Sequence, residues 1–334
     1  MDTYPIAFAA KSIYPEVRSN SRSGGVFTGI SDVILNNNGV IYGCKMDQDG
    51  VIFHARAVNA EERNLFRGSK YVESDLKNCF RQVVADLSEG RYVLFSGTSC
   101  QVAGLLSFLR AKKVNSELLI TVDIVCHGVP SSKIWTEYRR YLEDKWDGKI
   151  ESYEFRNKNK FGWVSNIETV VISGKSHDTN DYTQLFYNHH ILRPSCFCCR
   201  FKDIPRNSDI TLADFWGIDK VLPKFNDGKG VSLVLVNSEK GKHIFESCSE
   251  QLYSHKVAFN PCLQPALKQS AVKPTDRSEF WNDYSHYGFL YILKKYTRSA
   301  QESKRMILKS FLRNKFPRSI KNIIISLKYK FNKG

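Results

Sequence analysis

Four cysteines occupy positions where thiolate chemistry is expected. Cys100 lies in Gly97-Thr98-Ser99-Cys100-Gln101 and Cys126 in Cys126-His127-Gly128-Val129-Pro130. Cys196 and Cys199 form a C-x-x-C pair after Arg193-Pro194-Ser195. The glycines and prolines place each in a turn rather than mid-element. Thiolates are soft ligands, and four of them hold an iron–sulfur cluster or a zinc ion. C-x-x-C alone also suits a thioredoxin-like redox site. Such a pair would open a helix after a strand, whereas this one follows a proline in a loop. The glycine turns around Cys100 and Cys126 do not have zinc-ribbon spacing. Cluster, zinc and purely structural cysteines therefore stay open on chemistry alone. Cys198 is adjacent to Cys199 and competes as a ligand, while Cys44, Cys79, Cys248 and Cys262 read as small buried hydrophobes.

Other residue types bear on binding. Ser23-Gly24-Gly25 before a predicted helix suits a phosphate cradle or a plain glycine turn. Arg67-Gly68-Ser69-Lys70-Tyr71 sets two cations around a glycine and a serine, fit for a diphosphate or for a solvated turn. His127, beside Cys126, could tune a cluster or move a proton, or be a satisfied turn histidine. Asp214, in Ala213-Asp214-Phe215-Trp216-Gly217, could accept from a ribose hydroxyl or cap a turn. Phe215 and Trp216 suit ring stacking or core packing.

These residues need elements to position them. Residues 1–20 look irregular. A helix is expected over 26–35, strands over 40–44 and 51–58, and a helix over 74–87. A strand at 91–95, a helix at 100–111, a strand at 118–125 and a helix at 131–146 follow. That alternation implies a parallel sheet with crossover helices. Cys100 and Cys126 then fall at the carboxyl ends of strands, the edge where such sheets bind ligands. Beyond residue 150 the strands 152–155, 167–172 and 209–212 come with few helices. The expected architecture is α/β: a parallel-sheet N-terminal domain over 1–150 and an α+β second domain over 151–288. A basic helical tail over 289–334 completes it.

Composition bounds the function. The 334 residues are 42% apolar and 25% charged, as in a soluble globular protein. The start lacks a basic region followed by an apolar run, so reduced thiols in the cytoplasm are expected. The net charge is +15, but residues 289–334 hold thirteen Lys or Arg against one acid, Glu302. That tail carries +12 and leaves only +3 for everything before it. Cations alternate with Ile292, Leu293, Ile307, Leu308, Phe311, Leu312 and Phe316, as in a helix lying on an anionic membrane or docked on the body. The body shows no nucleic-acid groove.

The motifs, in order, resemble a known family. They are Ser23-Gly24-Gly25-Val26-Phe27, Arg67-Gly68-Ser69-Lys70-Tyr71-Val72, Phe95-Ser96-Gly97-Thr98-Ser99-Cys100-Gln101 and Cys126-His127-Gly128-Val129-Pro130-Ser131. The C-x-x-C pair and Asp209-Ile210-Thr211-Leu212-Ala213-Asp214-Phe215-Trp216-Gly217 complete the set. Together they are similar to the coenzyme F420 hydrogenase/dehydrogenase beta-subunit family, over roughly residues 10–250. The resemblance implies FAD and a 4Fe-4S cluster held by Cys100, Cys126, Cys196 and Cys199. It makes Ser23, Gly24, Gly25, Arg67, Lys70, Tyr71 and Asp214 the cofactor-binding candidates and His127 the catalytic one. Ser99 stands where the family often has proline.

Many members carry a ferredoxin-like segment before the Ser-Gly-Gly motif, and this chain has no cysteine before Cys44. The expected electron donor is therefore a separate ferredoxin or similar carrier. The shorter members resemble proteins of polysaccharide biosynthesis, which implies a sugar intermediate as the small-molecule substrate. A peripheral contact of the tail with the inner membrane face fits such a role. The expected function is a flavin- and iron–sulfur-dependent oxidoreductase. It would couple one-electron transfer to two-electron reduction or oxidation of the substrate. The alternatives are a non-catalytic electron-transfer subunit and a zinc-stabilised, non-redox protein.

Overall fold

Strands that are apolar on both sides must be covered on both faces. The computed structural model describes residues 4–298, together with Arg305 and Leu308. Its strands, in chain order, are β1 (Ile6–Ser12), β2 (Val40–Met46), β3 (Ile52–Ala57), β4 (Val93–Thr98), β5 (Leu119–Ile124), β6 (Ile150–Glu154), β7 (Glu168–Ile172), β8 (Lys175–Thr179), β9 (Ile210–Asp214), β10 (Ser232–Val236) and β11 (Leu252–Val257). Eight of them form one sheet in the order β11-β1-β10-β9-β5-β4-β2-β3. Its centre, β2-β4-β5-β9, is parallel, and both flanks are antiparallel.

Period-two alternation sorts the central side chains. Val40, Tyr42, Val93, Phe95 and Leu119 pack with the helices Cys79–Ser88 and Ser99–Ala111. Ile41, Leu94 and Ile120 face the other way, onto Val26, Ile30 and Ile34 of the helix Val26–Asn36. The expected α/β class is thus what the molecule has. A smaller antiparallel sheet, β6-β7-β8, shares a core with the helices Ser132–Trp146, Asp181–Tyr187, Arg277–Tyr287 and Phe289–Tyr296.

Several expectations shift. The sheet foreseen within 1–150 also takes β9, β10 and β11 from beyond it. β9 pairs parallel with β5, so the strand expected at 209–212 extends the first sheet instead of founding a second domain. Residues 1–20 are not irregular: β1 is an interior strand of one flank, bonded to both β10 and β11, and the helix Pro15–Ser19 follows. Its alanines are poor strand formers, but Ala9 and Ala10 are fully buried, and tertiary pairing overrides propensity.

The helix expected from 74 starts at Cys79, because Asp75 is bonded to β3. His54 N–H donates to the Asp75 carbonyl at 2.8 Å and Asp75 N–H to that of Ile52 at 3.0 Å. The tail also begins later than residue 289. Phe289, Ile292 and Leu293 are buried on the body, and Lys295 pairs with Glu279 and Asp283. The amphipathic run expected beyond residue 298 lies, Arg305 and Leu308 aside, outside the described residues.

Candidate functional site

The carboxyl ends of β4 and β5 lie side by side, with Thr98 opposite Ile124. Thr98 ends β4, and its N–H donates to Gln101 Oε1 at 2.9 Å, closing the start of the helix Ser99–Ala111. Cys100 therefore projects from the first turn, exposed, with Thr98 Oγ1 3.1 Å from its sulfur. Cys126 follows β5 by two residues. The turn after it needs Gly128, whose φ is +152° and whose added Cβ would meet Leu192 at 2.7 Å.

That close approach ties the Cys126 turn to the C-x-x-C segment. Pro130 bridges Leu192, and Arg193 N–H donates to the Val129 carbonyl at 2.9 Å. Val129 N–H in turn donates to Cys196 Sγ at 3.3 Å. Cys199 N–H donates to Ser270 Oγ at 3.0 Å. The thiols sense one another's charge: Cys126 interacts with Cys100 and Cys196, and Cys196 with Cys199 and Cys100. Burial pushes Cys126 up to about 11, against the pull of Lys202. The Cys196 thiol is also raised by burial, opposed by the Val129 N–H. Among the described residues, no group of three His, Cys, Asp or Glu side chains is drawn together tightly enough to hold a single metal ion. Cys79, Cys248 and Cys262 are buried as small apolar groups, Cys44 is half-buried and Cys198 is exposed.

Two cations brace the thiol region, and sequence reasoning passed over both. Lys202 Nζ donates to the Cys126 carbonyl. Arg206, almost fully buried, reaches Asp123 Oδ2 at 2.6 Å and Ser99 Oγ, and its other amine donates to the Phe201 carbonyl at 3.0 Å. One guanidinium thus joins β5, the helix carrying Cys100 and the segment after Cys199.

His127 faces away from a bare-turn role. Its Nε2 lies 2.7 Å from His189 Nε2, and His189 Nδ1 lies 2.8 Å from the Val272 carbonyl. A carbonyl only accepts, so His189 carries its proton on Nδ1, and His127 Nε2–H donates to His189 Nε2. His127 Nδ1 is then the unprotonated nitrogen. Burial first, then His189 and Lys202, holds the His127 pKa down near 4. The His127 ring also meets Tyr187 at 5.0 Å, and Tyr187 meets Tyr71 at 6.0 Å. Tyr71 stacks on Phe186 at 4.6 Å and its hydroxyl accepts from Arg156 at 3.3 Å. This aromatic path runs from His127, the residue after Cys126, to Arg156 and through it to Asp214.

Asp214, at the end of β9 and mostly shielded, has both oxygens engaged. Arg156 Nη1 donates to Oδ2 at 2.8 Å and Trp163 Nε1 to Oδ1 at 2.9 Å. The carboxylate expected to face a ribose is here paired with Arg156 and Trp163. Burial acts to raise the Asp214 carboxyl, but Arg156 and Arg22 together outweigh it and hold the group below its ordinary range. Phe215 is fully buried in the core, whereas Trp216 is 38% exposed and stacks on Trp163 at 5.3 Å.

The remaining candidates separate. Ser23 Oγ donates to the Val231 carbonyl at 2.7 Å, and Gly24 N–H donates to Ser232 Oγ at 3.0 Å. A Cβ at Gly24 would lie 2.3 Å from the Ala10 carbonyl oxygen, so this glycine lets the chain press between β1 and β10. Gly25 precedes the helix Val26–Asn36, and Arg67 Nε donates to Thr28 Oγ1 at 3.1 Å in its first turn. Lys70 instead turns onto the carbonyls of Phe66, Arg67 and Gly68. The structure therefore brings together the four cysteines with His127, and places Tyr71 and Asp214 along one path. It leaves Arg67 with Gly25 at a helix start. Arg22, Arg156 and His189 were missed; Arg22 directly precedes the Ser-Gly-Gly motif, and Arg156 follows a strand.

Comparison with known proteins bears on the family and the fold. The family model for the carboxyl-terminal part of the coenzyme F420 hydrogenase/dehydrogenase beta subunit matches residues 90–260. Among solved structures, the chain is similar to one from the F420-reducing nickel–iron hydrogenase complex of Methanosarcina barkeri. The TM-score is 0.54 at 17% identity, covering 76% of this chain and 83% of that one. At that identity the likeness speaks to the fold. No curated protein matches the chain. Among the described residues no helix is long and apolar enough to cross a membrane.

Proposed function

The chain belongs to the coenzyme F420 hydrogenase/dehydrogenase beta-subunit family, and we propose that within it this protein is a flavin- and iron–sulfur-dependent oxidoreductase. The observation that carries the proposal is the gathering of Cys100, Cys126, Cys196 and Cys199 at the carboxyl edge of β4 and β5. Four thiols with no histidine among them, two of them in glycine turns without zinc-ribbon spacing, support a cluster over zinc in this reading. The four thiols lie close enough to act on one another electrically, Cys126 on Cys100 and Cys196, and Cys196 on Cys199 and Cys100. When bound, the cluster would carry single electrons and FAD would exchange them for a hydride.

The chain's own groups have defined tasks in this reading. The Val129 N–H and Lys202 favour thiolate over thiol at Cys196 and Cys126. His189 fixes the His127 ring and leaves Nδ1 as a proton acceptor. Gly25, the helix start and Arg67 receive the flavin diphosphate, with Lys70 bracing that loop from behind. Electrons come from a ferredoxin-like donor, and the substrate is a small molecule.

The test is anaerobic purification with iron, sulfide and flavin analysis. Cys100→Ser, Cys126→Ser, Cys196→Ser and Cys199→Ser each lose iron, because a hard hydroxyl replaces a soft thiolate, and Cys248→Ser retains it. Full iron in two of the four variants, or a colourless zinc protein, overturns the assignment.

A further inference from the structure

Arg22 carries more donors than the fold satisfies. Its Nη2 donates to the Trp163 carbonyl and, at 3.4 Å, to that of Ser165. Its Nε and Nη1 are buried without a hydrogen-bond partner. The Asp214 carboxylate stands 3.9 Å from Nε, too far for a hydrogen bond. Among the described residues, the other arginines with orphaned atoms leave only an Nε; Arg22 also leaves a terminal amine. Buried donors are rarely left in this state without a reason.

Charge is out of balance at the same place. Arg156 is engaged by Asp214, Tyr71 and the carbonyls of Ser165 and Trp163. Lys158 is held by the carbonyls of Arg18, Ser23 and Lys229, and its charge acts on both Arg22 and Asp214. Three cations against one carboxylate leave a net +2 around Arg22. Burial and Arg156 lower the Arg22 pKa to about 10, so it stays charged at neutral pH.

Arg22 is also dispensable as a brace. The Trp163 and Ser165 carbonyls it contacts both accept from Arg156 as well, at 3.2 and 3.1 Å. Trp216 presents an exposed indole whose ring lies 5.2 Å from the Arg156 guanidinium, and Ile124 ends β5 exposed nearby in the sheet.

We infer that Arg22, backed by Arg156 and Lys158, binds a phosphate group of the substrate, with Trp216 flanking the rest of the molecule. A phosphomonoester carries about −1.5 to −2 at neutral pH, which matches the surplus charge; a monocarboxylate would neutralise half of it. Nε and Nη1 lie on different edges of the guanidinium, so each offers a single charge-assisted hydrogen bond to an anion oxygen. This deepens the oxidoreductase reading by naming a phosphorylated substrate class, and the anion site itself stands without it.

The experiment titrates inorganic phosphate into the full-length protein as purified and after flavin removal, reading tryptophan fluorescence and melting temperature. Wild type binds phosphate in both forms, and the melting temperature rises with phosphate. Arg22→Met binds at least tenfold more weakly, yet melts no lower than wild type without phosphate, because it removes an unpaired buried charge. Arg22→Lys keeps the charge and binds at least threefold more tightly than Arg22→Met. Phosphate binding that flavin blocks assigns the site to the cofactor and overturns the substrate assignment. Undiminished binding in Arg22→Met, or equal binding by the two variants, overturns the site. A protein purified without flavin or iron would sink the oxidoreductase reading while leaving the phosphate result to stand or fall alone.

Discussion

Glu168 offers a stability test that reaches the aromatic path. It begins β7 fully buried, accepting from Tyr138 at 3.1 Å, from Tyr153, and from the Thr183 N–H at 2.5 Å. Thr183 lies in the first turn of the helix Asp181–Tyr187, which carries Phe186 and Tyr187 beside His127. Burial outweighs these hydrogen bonds and raises the Glu168 carboxyl from 4.5 to about 7. A folded-state value above the unfolded one means the native protein holds the proton longer. The associated stability is therefore full below pH 4.5 and is lost as pH rises through 7.

At ~1.36 kcal/mol per pH step the whole effect is ~3 kcal/mol, of which ~2.5 kcal/mol falls between pH 5 and 8. Glu168→Gln removes the titration and keeps the shape. Urea unfolding of both proteins at pH 5, 6, 7 and 8 gives the difference in stability at each pH. Wild type should lose ~2.5 kcal/mol relative to the variant across that range. A difference that stays constant from pH 5 to 8 would refute the reasoning.

The buried Arg206–Asp123 pair predicts strong coupling. Arg206→Met alone should cost ~3–5 kcal/mol in urea unfolding by stranding Asp123, and adding Asp123→Asn should recover part of it; strictly additive losses would show that the two act separately. The start of the tail predicts a split between truncations. A chain ending at Gly288 loses the buried Phe289, Ile292 and Leu293, worth ~1.5–3 kcal/mol each, and should melt well below wild type. A chain ending at Arg298 keeps them while shedding ten Lys or Arg. It should fold normally but no longer cosediment with anionic liposomes in low salt; liposome binding equal to that of the full chain would clear the tail of a membrane role.

The parts of the fold readable from sequence were those governed by local signals. β4, the helix Ser99–Ala111, β5 and the helix Ser132–Trp146 alternate apolar runs with glycine and serine turns, and each lies within a few residues of its expected place. β1, β8, β10 and β11 were missed, and for β1 and β10 the reason is that their definition is non-local. β1 is set by partners more than 200 residues away, Ala7 opposite Leu235 and Phe8 opposite Val234. β9 was recognised as a strand but not placed, because nothing local distinguishes an added parallel edge from the start of a new sheet. Topology there follows from Ile210 and Leu212 pairing with Val122 and Ile124.

The site divides along the same physical line. Cysteines announce themselves, because thiolates in glycine turns have few other uses, and the structure brings all four segments to one edge. Arginines do not, because most cap carbonyls or line the surface, and sequence does not tell a satisfied guanidinium from an orphaned one. Arg67 and Lys70 share one motif, yet Arg67 bonds to a helix start while Lys70 turns onto three carbonyls. Arg22 and Arg156 lie far apart in sequence and meet around Asp214, which the sequence presents only as an acid after a strand. What marks Arg22 is an imbalance: two donors unmatched, and carbonyls already served by a second arginine. That inequality exists only after the chain has folded, and it is why the thiol pole was legible in the sequence and the cationic pole was not.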